Sequence, residues 1–188
     1  MGLDMYLTRK KYIGANYEHR NVKGVVDISV GEKKVPIDFN KISYIEESAA
    51  YWRKANAIHN WFVENVQDGV DDCREYWVRI EKLEELLDLC KKVKEKAILK
   101  DGKIKNGETL TDNGWEPIME DGRYIENAEE IAELLPTTSG CFFGSTEYDE
   151  WYIRDIEYTI KTLEELLENE KKLNEDKIYT EFYYQSSW

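Results

Sequence analysis

The segment of the chain richest in side chains that could do chemistry is YWRKANAIHNWF, residues 51–62. At about 100° per residue, a helix through this segment places Trp52, Asn56 and His59 in one stripe beside its apolar stripe. An aromatic plane, an amide and an imidazole, each about one turn from the next, suit a planar polar ligand or a partner's side chain. The predicted binding residues of this face are Trp52, Arg53, Asn56, His59 and Asn60.

The same face has a structural interpretation. Trp52 could pack on a neighbouring sheet while Asn56 and His59 satisfy backbone groups at strand ends, since buried polar side chains are usually hydrogen-bonded. His59 alone is a weak signal for catalysis, because nucleophilic chemistry needs a nucleophile, a base and an orienting group, and no such set is visible from the spacing. The sequence therefore predicts no catalytic residue and no cofactor.

A second candidate lies at residues 144–151, GSTEYDEW. A strand followed by Gly144, Ser145 and a helix resembles an anion-binding helix start, where free backbone N–H groups face a ligand. Acidic side chains already complement this helix start and would repel a phosphate. An ordinary capped helix is the competing interpretation, because Thr146 and Asp149 have the spacing of a capping box.

Acidic runs occur at Glu84-Glu85, Glu129-Glu130, 147–150 and Glu164-Glu165, and Tyr148, Trp151 and Tyr152 are interleaved with the third of these runs. Gathered on one surface, they could present nucleic-acid-like negative charge to a basic groove of another protein, with aromatic anchors supplying much of the affinity. The alternative is that these charges only solvate the surface. The predicted partner-binding residues here are Ser145, Thr146, Tyr148, Asp149, Glu150 and Trp151.

Composition narrows the class of protein. The chain has 188 residues and a formal charge of 26 − 39 = −13, with 41% hydrophobic and 13% aromatic residues. That aromatic content excludes a disordered acidic tail. The negative charge argues against direct nucleic-acid binding, which depends on Lys and Arg. Residues 1–41 carry 8 − 5 = +3, so the remainder carries −13 − 3 = −16.

The sequence also gives an expectation for the compartment. No apolar run is long enough to cross a bilayer, and the start of the chain lacks the pattern of a secretory signal. Cys73, Cys90 and Cys141 are widely spaced, as expected in a reducing cytoplasm. His19 and His59 are too few to complete a zinc site with them, so no metal is predicted.

The expected fold class is α+β, with a single domain over residues 1–188. It combines a mainly antiparallel sheet with three longer amphipathic helices packed on it. Strands are predicted at 3–7, 22–30, 35–39, 76–78, 141–143 and 178–184. Helices are predicted at 44–66, 83–93, 127–135 and 146–173, and loops or short hairpins at 100–123.

Several passages resemble a family of uncharacterised small proteins of bacteriophages and bacterial mobile elements. They are the MGLDMYL start, the YWRKANAIHNWF segment, the FFGSTEYDE segment and the SSW end. The resemblance implies a setting, the cytoplasm of a bacterial host, rather than a mechanism. Small acidic phage proteins are often inhibitors of host defence, anti-CRISPR proteins among them.

These observations lead to one expected function and two alternatives. The expected function is a non-enzymatic binding protein of a phage or mobile element that inhibits a host defence nuclease through an acidic, aromatic-rich face. Its partner would be a protein with a basic surface, with no membrane and no direct nucleic-acid binding. The alternatives are a binder of, or enzyme on, a nucleotide-like ligand at the Trp52/Arg53/Asn56/His59 face, and a structural or assembly protein.

Overall fold

A computed structural model describes residues 2–14, 26–112 and 114–188, and its elements are those of an α+β fold. The strands are β1 (Asp4–Tyr12), β2 (Ile28–Val30), β3 (Lys33–Val35), β4 (Tyr44–Arg53), β5 (Tyr76–Val78), β6 (Leu99–Thr111), β7 (Gly114–Ile125) and β8 (Tyr179–Ser187). The helices are α1 (Asn56–Val66), α2 (Ile80–Lys96), α3 (Ala128–Leu134) and α4 (Glu150–Glu175). The predicted fold class is confirmed.

The main sheet is antiparallel and has the strand order β4-β1-β8-β5. Strand β8 lies inside this sheet, paired along its length with β1, from Asp4↔Ser187 to Tyr12↔Tyr179. Its alternating pattern buries Phe182, Tyr184 and Ser186, each at most 2% exposed, against the helices. The strand predicted from the period-two pattern is therefore present, and it is an inner strand.

The helices cover one face of the sheet and share one hydrophobic cluster with it. Helices α2 and α4 contribute the predicted apolar stripes, including Leu83, Leu86, Ile156 and Leu163, all fully buried. Their outer edges are joined by ion pairs, among them Lys94–Glu157 at 3.0 Å. Apolar burial is the main source of stability here, since exposed ion pairs contribute little.

The predicted helix over 44–66 is wrong in its first half. Residues 44–53 form strand β4, and the helix starts only at Asn56. In β4, Ala50 and Trp52 face the core while Tyr51 and Arg53 face outward, an alternation that pairing with β1 demands. Tyr51 and Ala55 happen to continue the apolar spacing of α1, which is why the sequence pattern extended the helix too far.

The region predicted as loops or short hairpins is one long hairpin, β6–β7. The ladder extends to the pair Thr111 and Gly114, and Gly102 and Gly122 face each other inside it. A Cβ on Gly122 would lie 2.4 Å from the Ile104 side chain and 2.7 Å from the Glu150 carboxylate. Glycine is needed there because the hairpin base and the start of α4 approach closely.

Two other short segments differ from the expected strands. The β2–β3 hairpin turns at Gly31 as predicted, but its second strand is Lys33–Val35 and not 35–39, since a short 3-10 helix starts at Phe39. The hairpin forms a two-stranded sheet apart from the main one, and residues 22–25 of the predicted first strand lie outside the described residues. Residues 141–143 form a turn rather than a buried strand. Phe142 there is 56% exposed with φ 67°, and only Phe143 is buried.

The α4 stripe provides a direct test of this fold. Leu163→Ala should lower the free energy of unfolding by about 2 to 5 kcal/mol, because the side chain is fully buried and its removal leaves a cavity. Glu165→Ala, on the exposed side of the same helix, should change it by less than about 0.5 kcal/mol. Urea denaturation of both variants measures the difference, and equal effects would contradict the assignment of the buried face.

Candidate functional site

The polar side chains singled out first in the sequence are sealed inside the protein. Trp52 is 2% exposed on β4, and Asn56 and His59 are 4% and 1% exposed on α1. The Trp52 indole N–H donates to Thr159 Oγ1 of α4 at 2.9 Å. These three residues therefore do not form one open helix face, because Trp52 belongs to a different element.

Asn56 fastens α1 to the loop over residues 138–145. Its Nδ2 donates to the backbone carbonyls of Phe143, at 3.3 Å, and Ser145, at 2.7 Å. Its Oδ1 accepts from the Thr138 N–H at 3.2 Å. One buried amide thus satisfies three backbone groups of a loop that has no ladder of its own, which is close to the structural interpretation of the sequence.

His59 belongs to a chain of hydrogen bonds that runs from the buried Tyr184 to the exposed Trp188. Its Nδ1 lies 2.8 Å from the Tyr184 hydroxyl and its Nε2 lies 3.0 Å from Asp71 Oδ2. Asp71 Oδ1 in turn accepts from the Trp188 indole N–H at 3.0 Å. Since both ring nitrogens have protein partners, the geometry gives His59 a structural role linking α1 to β8.

A cleft of about 940 Å³ brings the two predicted segments together. It lies between the start of α1, the loop over 142–147, the start of α4 and part of β6. The predicted residues that line it are Arg53, Asn56, Ser145, Thr146, Asp149 and Trp151. Trp52, His59, Asn60, Tyr148 and Glu150 do not line it, although Tyr148 supports the loop by accepting from the Thr137 N–H at 3.0 Å.

Four carboxylate residues line this cleft, the exposed Glu108 and Glu147 and the more buried Asp149 and Asp155. Asp149, 2% exposed, is the N-cap of α4, and its Oδ1 accepts from the backbone N–H groups of Trp151 and Tyr152. Its Oδ2 is buried without a hydrogen-bond partner among the described residues. Burial, reinforced by the charge of Asp149, raises the pKa of the half-buried Asp155 to about 7. Burial likewise raises the pKa of Asp149.

Asp149 therefore caps α4, and the predicted cap at Thr146 is wrong. Thr146 lies in the preceding loop, where its carbonyl accepts from Thr137 Oγ1 at 3.0 Å. Ser145 Oγ accepts from the Glu147 N–H at 3.1 Å, and Glu150 pairs with Arg123 at 3.5 Å. An aspartate at the N-cap is favoured because it accepts orphan N–H groups and complements the helix dipole.

Basic and aromatic side chains surround the same carboxylates. Arg53, Lys54, Lys105 and Arg154 line the cleft. Lys105 pairs with Glu108 at 2.6 Å, and the Arg154 guanidinium lies over the Trp151 ring, 4.7 Å from its centroid. Two non-glycine residues of the cleft have left-handed backbones, Lys54 with φ 60° and Phe142 with φ 67°, a conformation that costs about 1 to 3 kcal/mol each.

A group of exposed apolar side chains that the sequence analysis did not predict lies elsewhere, on the end of the β6–β7 hairpin. We call residues 106–119 the hairpin tip. Leu110 and Trp115 are directly opposed across the ladder and are 67% and 70% exposed, and Ile118 and Met119 are also exposed. Every charged residue of the tip is acidic: Glu108, Asp112 and Glu116. The signal was the alternation around Asn113-Gly114, which is typical of a hairpin.

The acidic runs of the helices present a more mixed surface than the sequence suggested. Glu164 and Glu157 of α4 pair with Lys91 and Lys94 of α2, at 2.6 and 3.0 Å. Of the predicted acidic, aromatic segment, Asp149 is buried and Trp151 is 43% exposed beneath Arg154. An uninterrupted combination of acidic and exposed apolar side chains therefore occurs at the hairpin tip rather than on α4.

In comparisons with known proteins, no family model matches the sequence, and neither a curated protein nor a solved structure matches the chain. Among the described residues, no helix is both long and apolar enough to span a membrane. The same residues contain no group of three or more His, Cys, Asp or Glu side chains that could hold a metal ion. Function must therefore be argued from the cleft and the hairpin tip themselves.

The role of Asn56 can be tested by removing its amide. Asn56→Ala should lower the free energy of unfolding by about 2 to 4 kcal/mol, because it leaves the carbonyls of Phe143 and Ser145 unpaired. Amide hydrogen exchange over residues 138–145 should also accelerate. Asn65→Ala, on the same helix, loses one half-buried bond and serves as the control. An unchanged exchange rate would contradict the proposed fastening of the loop.

Asp155 should destabilise the protein near neutral pH. The pKa of Asp155 in the folded protein, about 7, lies above its ordinary value of 3.8. The free energy of unfolding therefore falls as the pH rises between these two values, and the part of it that depends on Asp155 is fully lost above pH 7. Asp155→Asn should therefore raise the free energy of unfolding by about 1 to 2 kcal/mol at pH 8 and by less at pH 5. Urea denaturation at both pH values measures it, and an equal gain at each would refute the raised pKa.

Proposed function

We propose that this protein is a non-enzymatic binding protein that docks its hairpin tip onto a basic surface of another protein. The observation that carries the proposal is the pair of opposed side chains, Leu110 and Trp115, each about two thirds exposed at the end of a long hairpin. Large apolar side chains grouped on a surface mark an interaction site, since leaving them in water is unfavourable.

The composition of the tip suits a docking element. Tryptophan is the residue most enriched among those that dominate binding energy, and a hairpin presents it at the end of an ordered arm. The charges beside it, Glu108, Asp112 and Glu116, are all acidic. A basic, partly apolar groove on the partner would complement them and accelerate association.

We further propose that the groove belongs to a nuclease of a bacterial host defence system. Three features support this choice: the net charge of −13, the resemblance to phage and mobile-element proteins, and the absence of basic residues from the tip. Nucleases bind their substrates through Lys- and Arg-rich grooves, so a compact acidic hairpin with an aromatic anchor is suited to occupy one.

The test is capture of bacterial lysate proteins on the immobilised chain, followed by a nuclease assay on each captured protein. We expect a captured nuclease that is inhibited by the chain and that is released by competing DNA or by raised salt. Trp115→Ser should weaken its binding by about 30-fold or more, the effect expected for loss of a central anchor.

The control is Trp77→Ser, which removes another tryptophan that is 54% exposed, on β5 of the main sheet. Because Trp77 lies outside the tip, binding should be unchanged. Equal losses for the two variants, or inhibition that survives Trp115→Ser, would contradict docking through the tip. Self-association that Trp115→Ser abolishes, measured by sedimentation, would support an assembly protein instead.

A further inference from the structure

We propose that the cleft at the start of α4 binds a nucleotide, independently of the hairpin tip. Its base would donate N–H groups to Asp155 and Asp149, its ring would contact Trp151, and its phosphate would lie against Lys54 and Arg53. The inference does not rest on the proposed partner, because Leu110 and Trp115, which carry that proposal, do not line the cleft.

One oxygen of the Asp149 carboxylate has no hydrogen-bond partner among the described residues. Asp149 needs only Oδ1 to cap α4, and Oδ2 is left buried with no donor among the described residues. Buried carboxylate oxygens without a donor are destabilising, and such groups in folded proteins call for an explanation. A ligand N–H entering the cleft would supply the missing donor.

Asp155, which lines the same cleft, offers a second carboxylate to a ligand. Its carboxylate makes no hydrogen bond among the described residues, and only its backbone carbonyl is engaged, with Thr159. Both of its oxygens are therefore able to accept. Two parallel N–H bonds to one carboxylate match the edge of a guanine, where the ring N–H and the amino group are adjacent. Guanine nucleotides are thus the expected class.

Basic residues lie in the cleft lining together with these carboxylates. Four basic residues, Arg53, Lys54, Lys105 and Arg154, balance the four acidic residues of the cleft lining, Glu108, Glu147, Asp149 and Asp155, although the chain as a whole carries −13. A lysine or arginine side chain of a partner would meet these like charges, whereas an anionic phosphate is attracted to them. A ligand that carries both N–H donors and negative charge satisfies the two halves of the cleft together.

The size and the aromatic lining of the cleft suit a planar base. Trp151 and Phe142 line the cleft and are 43% and 56% exposed, so each offers part of a ring face to a planar base. Stacking of a base on an aromatic side chain contributes substantially to nucleotide binding and tolerates any base. The volume, about 940 Å³, is within the range of small-molecule sites.

The experiment is isothermal titration calorimetry of the full chain with 3′,5′-cyclic guanosine monophosphate at pH 8. This probe keeps a single phosphodiester charge across the pH range, so protonation of the ligand phosphate does not complicate the result. The cyclic nucleotides of adenine and uracil are titrated in parallel. We expect the guanine compound to bind at least tenfold more tightly than either.

Variants separate binding in the cleft from non-specific attraction. Asp155→Asn and Trp151→Leu should each weaken binding by about tenfold or more, while Glu165→Gln on the exposed face of α4 and Trp115→Ser at the hairpin tip should not. Circular dichroism confirms that each variant is folded. Equal weakening by Trp115→Ser would overturn the assignment to the cleft.

The affinity should also depend on pH. The titratable groups that line the cleft with Asp155 are Asp149 at the N-cap of α4, Tyr152 and Arg154 of α4, Glu147 of the preceding loop, Arg53 and Lys54 at and just after the end of β4, and Lys105 and Glu108 of β6. Asp155 accepts two parallel N–H donors, one at each oxygen, only when ionised, so binding should be about tenfold tighter at pH 8 than at pH 6. Asp155→Asn should remove this dependence.

The outcomes are decisive in both directions. Saturable binding with the stated base preference, variant effects and pH dependence supports the nucleotide site. No heat of binding at about 1 mM of all three nucleotides, or binding that Asp155→Asn and Trp151→Leu leave intact, overturns it. Neither result bears on nuclease docking, because that test depends on Trp115 and not on the cleft.

Discussion

The structure depends on one constraint, that strand β8 lies in the interior of the sheet. Tyr184 of β8 is fully buried, stacks on Phe62 of α1 with ring centroids 3.9 Å apart, and meets His59 through its hydroxyl. Strands β1 and β5 pair with β8 and not with each other. The four-stranded sheet is therefore complete only when β8, which lies farthest along the chain, is in place. Contacts of this sequence separation make folding slow compared with that of a local hairpin.

The cleft follows from how α1 is attached to this sheet. The side chain of Asn56, in the first turn of α1, forms hydrogen bonds with backbone groups of the loop over 138–145. This attachment brings the start of α4 beside the end of β4. That arrangement leaves one Asp149 oxygen without a partner in the part of the chain that the structure describes, and it leaves Asp155 half-buried. Both features reduce stability, and left-handed backbones at Lys54 and Phe142 add to the reduction. Several destabilising features gathered in one place are typical of a binding site.

The hairpin and the cleft are separate surfaces with opposite chemistry. The hairpin tip combines acidic and apolar side chains, which suits a basic protein surface, whereas the cleft places basic side chains around buried carboxylates. They adjoin along β6, where Asn106, Gly107 and Glu108 of the hairpin tip line the cleft, but Leu110 and Trp115 lie outside the cleft lining. A ligand in the cleft and a partner on the tip could therefore bind without excluding each other.

The sequence by itself determined the fold class, α2, most of α4 and strand β8, because their apolar periodicities reflect burial on one face. It also indicated six residues of the cleft, including Arg53 and Asp149, without showing that they meet. Only the tertiary structure decided that 44–53 is a strand, since pairing with β1 outweighs local helical spacing. It likewise buried His59 and exposed Trp115, because burial is set by which elements pack together and not by residue type.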